Sequence, residues 1–269
     1  MTDPVTTDAV AVLTHGDLQP EGRLVDASNT TLRCWATLDG VSVRCVYKPV
    51  AGERPLWDFP DGTLAGREVA AYLVSAYLES LDPAWALVPP TVHRDGPLGP
   101  GACQLWIEET DQPPVGFVPA DAVPPGWHEI AAAEDTEGQP YVLAHADDPR
   151  LARMVIFDSV INNADRKGGH VLLGKDGHLY GVDHGVCFHV QPKLRTVLWG
   201  WAGTPLPAEA GPVLTALAAA VDGDLGAALA PHLSREEVAA VAQRARRLHQ
   251  TGRFALPSRS WPAIPWPPI

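Results

Sequence analysis

Two aspartates, Asp165 and Asp183, each beside a glycine-punctuated turn, are the residues most suited to chemistry here. They lie in the stretch LARMVIFDSVINNADRKGGHVLLGKDGHLYGVDHG, residues 151–185. Leu151, Met154, Val155 and Ile161 form one apolar face, which predicts a helix over 151–163. A polar loop follows from Asn162 to His170. A short apolar run, Val171 to Leu173, then reaches a turn at Gly174-Lys175-Asp176-Gly177. A second run, Leu179 to Val182, delivers Asp183 into His184-Gly185. The predicted order is helix, loop, strand, turn, strand, acid. A tight hairpin returns its two ends to one place, so both aspartates can face one cleft. An isolated Asp-x-Gly would read as a solvated turn. Two acids in this layout suit phosphoryl transfer: one accepts the proton of an acceptor hydroxyl, and the other holds a metal bridging nucleotide phosphates.

The segments Asn163-Ala164-Asp165-Arg166 and Val182-Asp183-His184-Gly185 resemble the catalytic and metal-binding segments of the phosphatidylinositol 3-/4-kinase-like branch of the protein-kinase-like fold. Most of the remaining chain resembles an actinobacterial family grouped with those kinases. The resemblance implies an α+β, two-lobed fold with a small β-rich N-lobe and a mainly helical C-lobe. It implies ATP and Mg2+ as cofactors. Asp165 is then the catalytic residue, with Arg166 holding the loop and Lys167 offsetting γ-phosphate charge. Asp183 is the metal ligand. The family's second metal ligand, an asparagine, is replaced here by His170. Imidazole suits manganese or zinc better than magnesium, so Mn2+ is a second candidate, and His170 is either a metal ligand or a phosphate contact.

The same resemblance assigns roles upstream. Gly22 to Leu38 reads as a strand pair around a small polar turn at 26–30, where Ser28 would contact phosphate. Asp39-Gly40 is a hairpin signal, and the strand from Val41 ends at Lys48, the candidate phosphate-binding lysine. A helix over Thr63 to Val74 would supply Glu68 to hold that ammonium. A strand from Ala102 to Glu108 leads into the hinge, where the backbone of Leu105, Trp106, Ile107 and Glu108 would meet adenine. The expected division is an N-lobe over 1–108 and a C-lobe over 109–269. Residues 1–17 read as a loose lead-in and 109–140 as a loop-rich connector.

Further along, Asp148 is a candidate N-cap with Pro149 at the first helical position. Asp158 lies close to the apolar stripe of that helix, where it either braces the loop, by accepting N–H bonds or pairing with Arg166, or is solvated. Trp199 and Trp201 either stack on an acceptor or pack. Residues 208–249 read as helical, with a capping box at Ser234 to Glu237. The proline- and tryptophan-rich tail from Pro257 suits folding back onto the body.

Composition bounds the partners. With 20 basic and 32 acidic residues the formal charge is −12, which disfavours nucleic acid and anionic lipid surfaces. Only Lys193 and Arg195 are strongly basic in the segment after Asp183, so a protein or small-molecule acceptor is favoured over a phosphoinositide. Cys34, Cys45, Cys103 and Cys187 show no zinc spacing and read as reduced thiols. No apolar run reaches membrane-span length and no signal peptide is evident, so a cytoplasmic location is expected. The reading is an ATP-dependent kinase. A nucleotide-binding pseudokinase and a nucleotidyltransferase that leaves AMP on its target are the alternatives.

Overall fold

The computed structural model describes residues 4–24, 29–59 and 63–269. The chain is α+β. Its first part is a five-stranded antiparallel sheet of β1 (Asp17–Arg23), β2 (Leu32–Leu38), β3 (Val41–Pro49), β4 (Thr91–Gly96) and β5 (Gly99–Leu105), in the order β1-β2-β3-β5-β4. The β2–β3 hairpin turns at Asp39 and Gly40, both at positive φ, 49° and 82°. That is the two-residue turn whose twist matches the flanking strands.

Residues 4–15 are not a loose lead-in. They form α1 (Pro4–His15), which places Val12 and Leu13 against Cys34, Ala36, Cys45, Tyr47 and Cys103 in an apolar core under the sheet. The drive is burial of these small and branched side chains on the inner face of the strands. Cys34 and Cys45 face each other across β2 and β3, and all four cysteines are buried free thiols.

Helix α2 (Leu64–Leu81) starts at Thr63, whose hydroxyl accepts the Gly66 N–H at 2.9 Å. The Glu53 carboxylate accepts the next free amides, Leu64 N–H at 3.0 Å and Ala65 N–H at 2.7 Å. This satisfies the donors that a helix start leaves unpaired. Ala65 and Val69 pack on Ala102 of the sheet, while Ala70, Ala71, Val74 and Leu78 belong to a second, larger core. That core is built by α3 (Pro149–Ile161), α4 (Ala210–Val221), α5 (Asp224–Leu229) and α6 (Arg235–Thr251). Asp148 caps α3 through Arg150 N–H at 2.8 Å, and Ser234 and Glu237 form a capping box on α6.

The connector is ordered rather than loop-rich. β6 (Val115–Pro119), β7 (Trp127–Glu134) and β8 (Pro140–Ala146) form an antiparallel sheet in the order β6-β8-β7. β7 carries three successive alanines and β8 opens on a proline, so β-propensity marks them poorly. The hairpin β9 (Val171–Leu173) and β10 (Leu179–Gly181) follows α3, as the sequence predicts. Among the described residues no helix is long and apolar enough to cross a membrane.

His145 joins the three-stranded sheet to the turn at Trp199–Trp201. It is fully buried; its Nδ1 donates to Ala146 O at 2.9 Å and its Nε2 accepts Gly200 N–H at 3.1 Å. Trp201 packs on this ring and on Phe254, so it serves packing. Burial pulls the His145 pKa down to about 4. The unfolded chain takes up this proton near pH 6.5, so the ring's contribution is full above that pH. It is lost as pH falls toward 4, roughly 3 kcal/mol in all. NMR of the His145 ring is expected to show a neutral imidazole down to about pH 5; protonation near pH 6.5 would contradict this.

Candidate functional site

The residues singled out by the sequence converge on a cleft of about 600 Å³. Its walls include Lys48, Glu68, Leu105, Trp106, Ile107, Asp165, Lys167, His170 and Asp183. A cleft of that size is ample for a nucleotide-sized ligand. Ser28 lies outside the described residues; its neighbours Asn29, Thr30 and Thr31 line the cleft.

Lys48 stands at the centre. Its Nζ bonds Glu68 Oε1 and reaches Asp183 Oδ1 at 3.0 Å. Glu68 is buried, and its second oxygen accepts the His184 N–H at 3.0 Å. One carboxylate on α2 therefore fixes both the lysine from β3 and the backbone after Asp183. Burial alone would discharge Lys48, but Asp183 and Glu68 hold the ammonium charged, above its usual range. The Lys48 ammonium in turn holds the Asp183 carboxyl far below the ordinary carboxylate range. Asp183 has a positive φ of 60°, a region that aspartate tolerates better than most residues.

His170 Nδ1 meets the Asp165 carbonyl at 3.0 Å. A carbonyl only accepts, so that nitrogen carries the proton. Burial lowers the His170 pKa to about 4, and the ring is neutral at pH 7. Its Nε2 is then a bare lone pair, 3.3 Å from Asp183 Oδ2. Two lone-pair atoms face each other, and a cation between them would relieve the repulsion. The pair fits a metal, with the remaining ligands coming from phosphate oxygens and water. Among the described residues no group of three or more His, Cys, Asp or Glu could form a cage for an ion.

Asp165 Oδ2 lies 3.5 Å from Lys167 Nζ, and Oδ1 lies 3.8 Å from Arg195 Nη2. Burial raises its pKa, opposed by these two cations. Its N–H donates to Asn163 Oδ1 at 2.9 Å, and Asn163 Nδ2 donates to Asp158 Oδ1 at 3.0 Å. Arg195 beside Asp165 is the functional neighbour that sequence reading misses. It arrives because residues 195–197 ladder along the loop: Arg195 N–H bonds Asn163 O and Arg166 N–H bonds Arg195 O, both at 3.0 Å.

Arg166 holds the loop from outside the cleft, and the assignment of Glu108 changes. Arg166 is wholly buried, with 0% of its side chain exposed, and does not reach the cleft. Its Nε and Nη2 bond the two oxygens of buried Asp158 at 2.8 and 2.9 Å, so Asp158 braces the loop and is not solvated. Its Nη1 bonds the carbonyls of His170 and Val182, both at 3.0 Å, and its Nη2 is 2.7 Å from His184 Nε2. Glu108 also leaves the cleft. Its carboxylate pairs with Arg44 at 3.1 Å and its carbonyl accepts Lys175 N–H at 2.8 Å. The hinge amides of Leu105 and Trp106 are taken by Pro90 O and Arg44 O, at 2.8 and 2.9 Å. Among the described residues the Ile107 N–H makes no hydrogen bond to protein, and Ile107 lines the cleft.

Known proteins match this chain in sequence. Residues 149–216 match the family model described as phosphatidylinositol 3- and 4-kinase. Over 270 residues, spanning 97% of this chain and 95% of the other, the sequence is 50% identical to Protein Rv2133c of Mycobacterium tuberculosis. The chain belongs to an actinobacterial family related to the phosphatidylinositol 3- and 4-kinases. At the family level the matched segment is that of a kinase-type phosphotransferase. It contains α3, Asp165, His170, Asp183 and Arg195 of this family member. Lys48 and Glu68 precede it and are joined to it by geometry.

The Arg166–Asp158 pair yields a direct prediction. Arg166→Met leaves a buried carboxylate without its partner and is expected to cost about 3–5 kcal/mol. Arg166→Lys is expected to rescue little, since an ammonium cannot replace the two-pronged contact. Urea unfolding measures both; a loss below about 1 kcal/mol for Arg166→Met would remove the pair from its structural role.

Proposed function

We propose that the protein is an ATP-dependent phosphotransferase with a two-lobed protein-kinase-like architecture. Residues 1–108 form the nucleotide-binding lobe and 109–269 the lobe with the catalytic loop. The observation that carries this reading is the meeting of Lys48, Glu68 and Asp183 in the cleft that also holds Asp165. Separate elements bring phosphate-binding, metal-binding and proton-accepting groups to one place, as phosphoryl transfer requires.

In this reading the adenine lies against Leu105–Ile107, with the Ile107 N–H as donor. Lys48, held by Glu68, contacts the phosphates. Asp165 orients an acceptor hydroxyl. The acceptor oxygen forms a bond to the γ-phosphorus, the bond to the β,γ-bridging oxygen breaks, ADP leaves, and the acceptor's proton passes to Asp165 Oδ late in transfer. Lys167 offsets charge on the moving phosphoryl group. Asp183 Oδ2 and His170 Nε2 would hold a divalent ion, which when bound offsets phosphate charge. The mixed oxygen and nitrogen pair favours Mn2+ over Mg2+. Among the described residues, the charged ones lining the cleft are the carboxylates Glu53, Glu68, Glu109, Asp165 and Asp183 and the cations Lys48, Arg54 and Lys167. The excess of negative charge supports metal-dependent nucleotide binding.

The acceptor is a hydroxyl of a protein or small molecule rather than a phosphoinositide. Lys193 is nearly buried, 6% exposed, and paired with Asp58 at 2.7 Å, while Arg195 is engaged beside Asp165. These two side chains are poorly placed to read a multiply charged headgroup.

Calorimetric titration of ATP with Mn2+, and again with Mg2+, tests the site. Binding is expected only with metal, more tightly with Mn2+, and at least about tenfold weaker in Asp183→Asn, the loss of one charged contact. No binding with either ion would overturn the reading. Asp165→Ala is expected to keep nucleotide affinity and lower transfer by about 10²–10⁴-fold. Binding without transfer in the wild type would favour the pseudokinase. Labelling from the α- rather than the γ-phosphate would favour nucleotidyl transfer.

A further inference from the structure

The catalytic loop has a wall that lies far along the chain. Residues 261–269 run over it without helix or strand. Pro268 O accepts the Gly168 N–H at 2.8 Å. Ala263 O accepts both Thr196 N–H at 3.0 Å and the Trp199 indole Nε1 at 2.9 Å, which assigns Trp199 to packing. A Cβ on Gly168 would run into Ile269 Cδ1 and come within 3.3 Å of Val115 Cγ1, so the loop is pinched between the tail and β6. The Trp261 ring lies 4.6 Å from Lys193 Nζ and 5.7 Å from Arg195 Cζ. Arg195 then reaches Asp165 Oδ1 at 3.8 Å. None of the tail residues lines the nucleotide cleft.

We infer that segment 261–269 is a strap that positions the transfer site from the side opposite the nucleotide. Its grip on Gly168 sets Lys167, the residue before it, and His170, two residues after it, and Trp261 sets Arg195 against Asp165. The inference rests on the phosphotransferase reading above. The need for a strap follows from the loop itself. Residues 168–170 form a brief 3-10 turn that opens with Gly168-Gly169, the residues with the most backbone freedom to lose. Restraint on such a turn has to come from outside it. The strap suits that task, because Pro262, Pro265, Pro267 and Pro268 give it little freedom to lose on docking. Trp261 adds a flat face that attracts both cations. Trp261 acts through Arg195 and is a positioning residue.

Full-length protein with Mn2+ and ATP, and water as the acceptor, provides the test. Water oxygen then forms the bond to the γ-phosphorus, ADP leaves, and the water proton passes to Asp165. Trp261→Ala is expected to leave the Kd for Mn2+–ATP within about twofold and to lower turnover at least about tenfold, the separation of kcat from binding that marks a positioning role. Trp261→Phe is expected to restore most of the turnover. It keeps a six-membered aromatic face while giving up the fused five-membered ring and the indole N–H, which has no hydrogen-bond partner among the described residues. A chain ending at Ser260 is expected to lose more turnover than Trp261→Ala. Turnover of Trp261→Ala equal to wild type overturns the strap. So does a loss of nucleotide binding that accounts for the whole loss of turnover. A wild type that binds no nucleotide, or binds it without turnover, instead brings down the phosphotransferase reading and the strap's role with it.

Discussion

The buried ion pair between Arg166 and Asp158 is the interaction on which the site depends. A guanidinium with no exposure has to find acceptors for all its donors inside the protein. Arg166 finds them on Asp158, His170, Val182 and His184. Those partners belong to α3, the end of the loop that carries Asp165, and the segment that carries Asp183. One side chain thus binds together the pieces that must hold Asp165 and Asp183 in register. Gly181 belongs to the same arrangement, since a Cβ there would lie 2.9 Å from Arg166 Nη2. The desolvation of such a pair is costly, so its worth is in specifying one arrangement of the loop more than in adding net stability.

A second constraint works between the sheet and the helical core. Lys48 is a cation set between carboxylates from two elements, Glu68 on α2 and Asp183 after β10. Glu68 also accepts the His184 N–H, so the two oxygens of one side chain tie α2 to Lys48 of β3 and to the segment that carries Asp183. In the phosphotransferase reading proposed above, phosphates entering the cleft would compete with Asp183 for Lys48, and a cation entering with them would offset the carboxylate charge that Lys48 no longer pairs. The neutral ring of His170 contributes to the same balance. It adds a lone pair to the site without adding negative charge, unlike a third carboxylate.

Support for the loop comes from parts of the chain that carry none of its chemistry. β6 places Val115 beside Gly168, and the tail covers the other side. Lys193 is enclosed by Trp57, Phe59 and Trp261 and paired with Asp58, joining the β3–α2 connection to the segment after Asp183. These contacts spend the charge of the post-Asp183 segment internally.

The sequence by itself determined the α+β class, the α3–hairpin segment and the identity of Lys48, Glu68, Asp165 and Asp183 as one set. These were legible because they rest on local periodicity, turn chemistry and a resemblance carried by short motifs. The order in β6, β7 and β8 was not legible, because alanine- and proline-containing segments become strands only when paired. The helix α1 is weakly amphipathic and is defined by the sheet face it covers. Partner choice was equally hidden. Whether Asp158 was solvated or paired, whether Glu108 faced adenine or Arg44, and which cation stood beside Asp165 all depended on residues far apart in the chain. Burial, and with it the electrostatic environment of His170 and Asp165, exists only once those distant segments have packed; that is why the tertiary structure alone decided it.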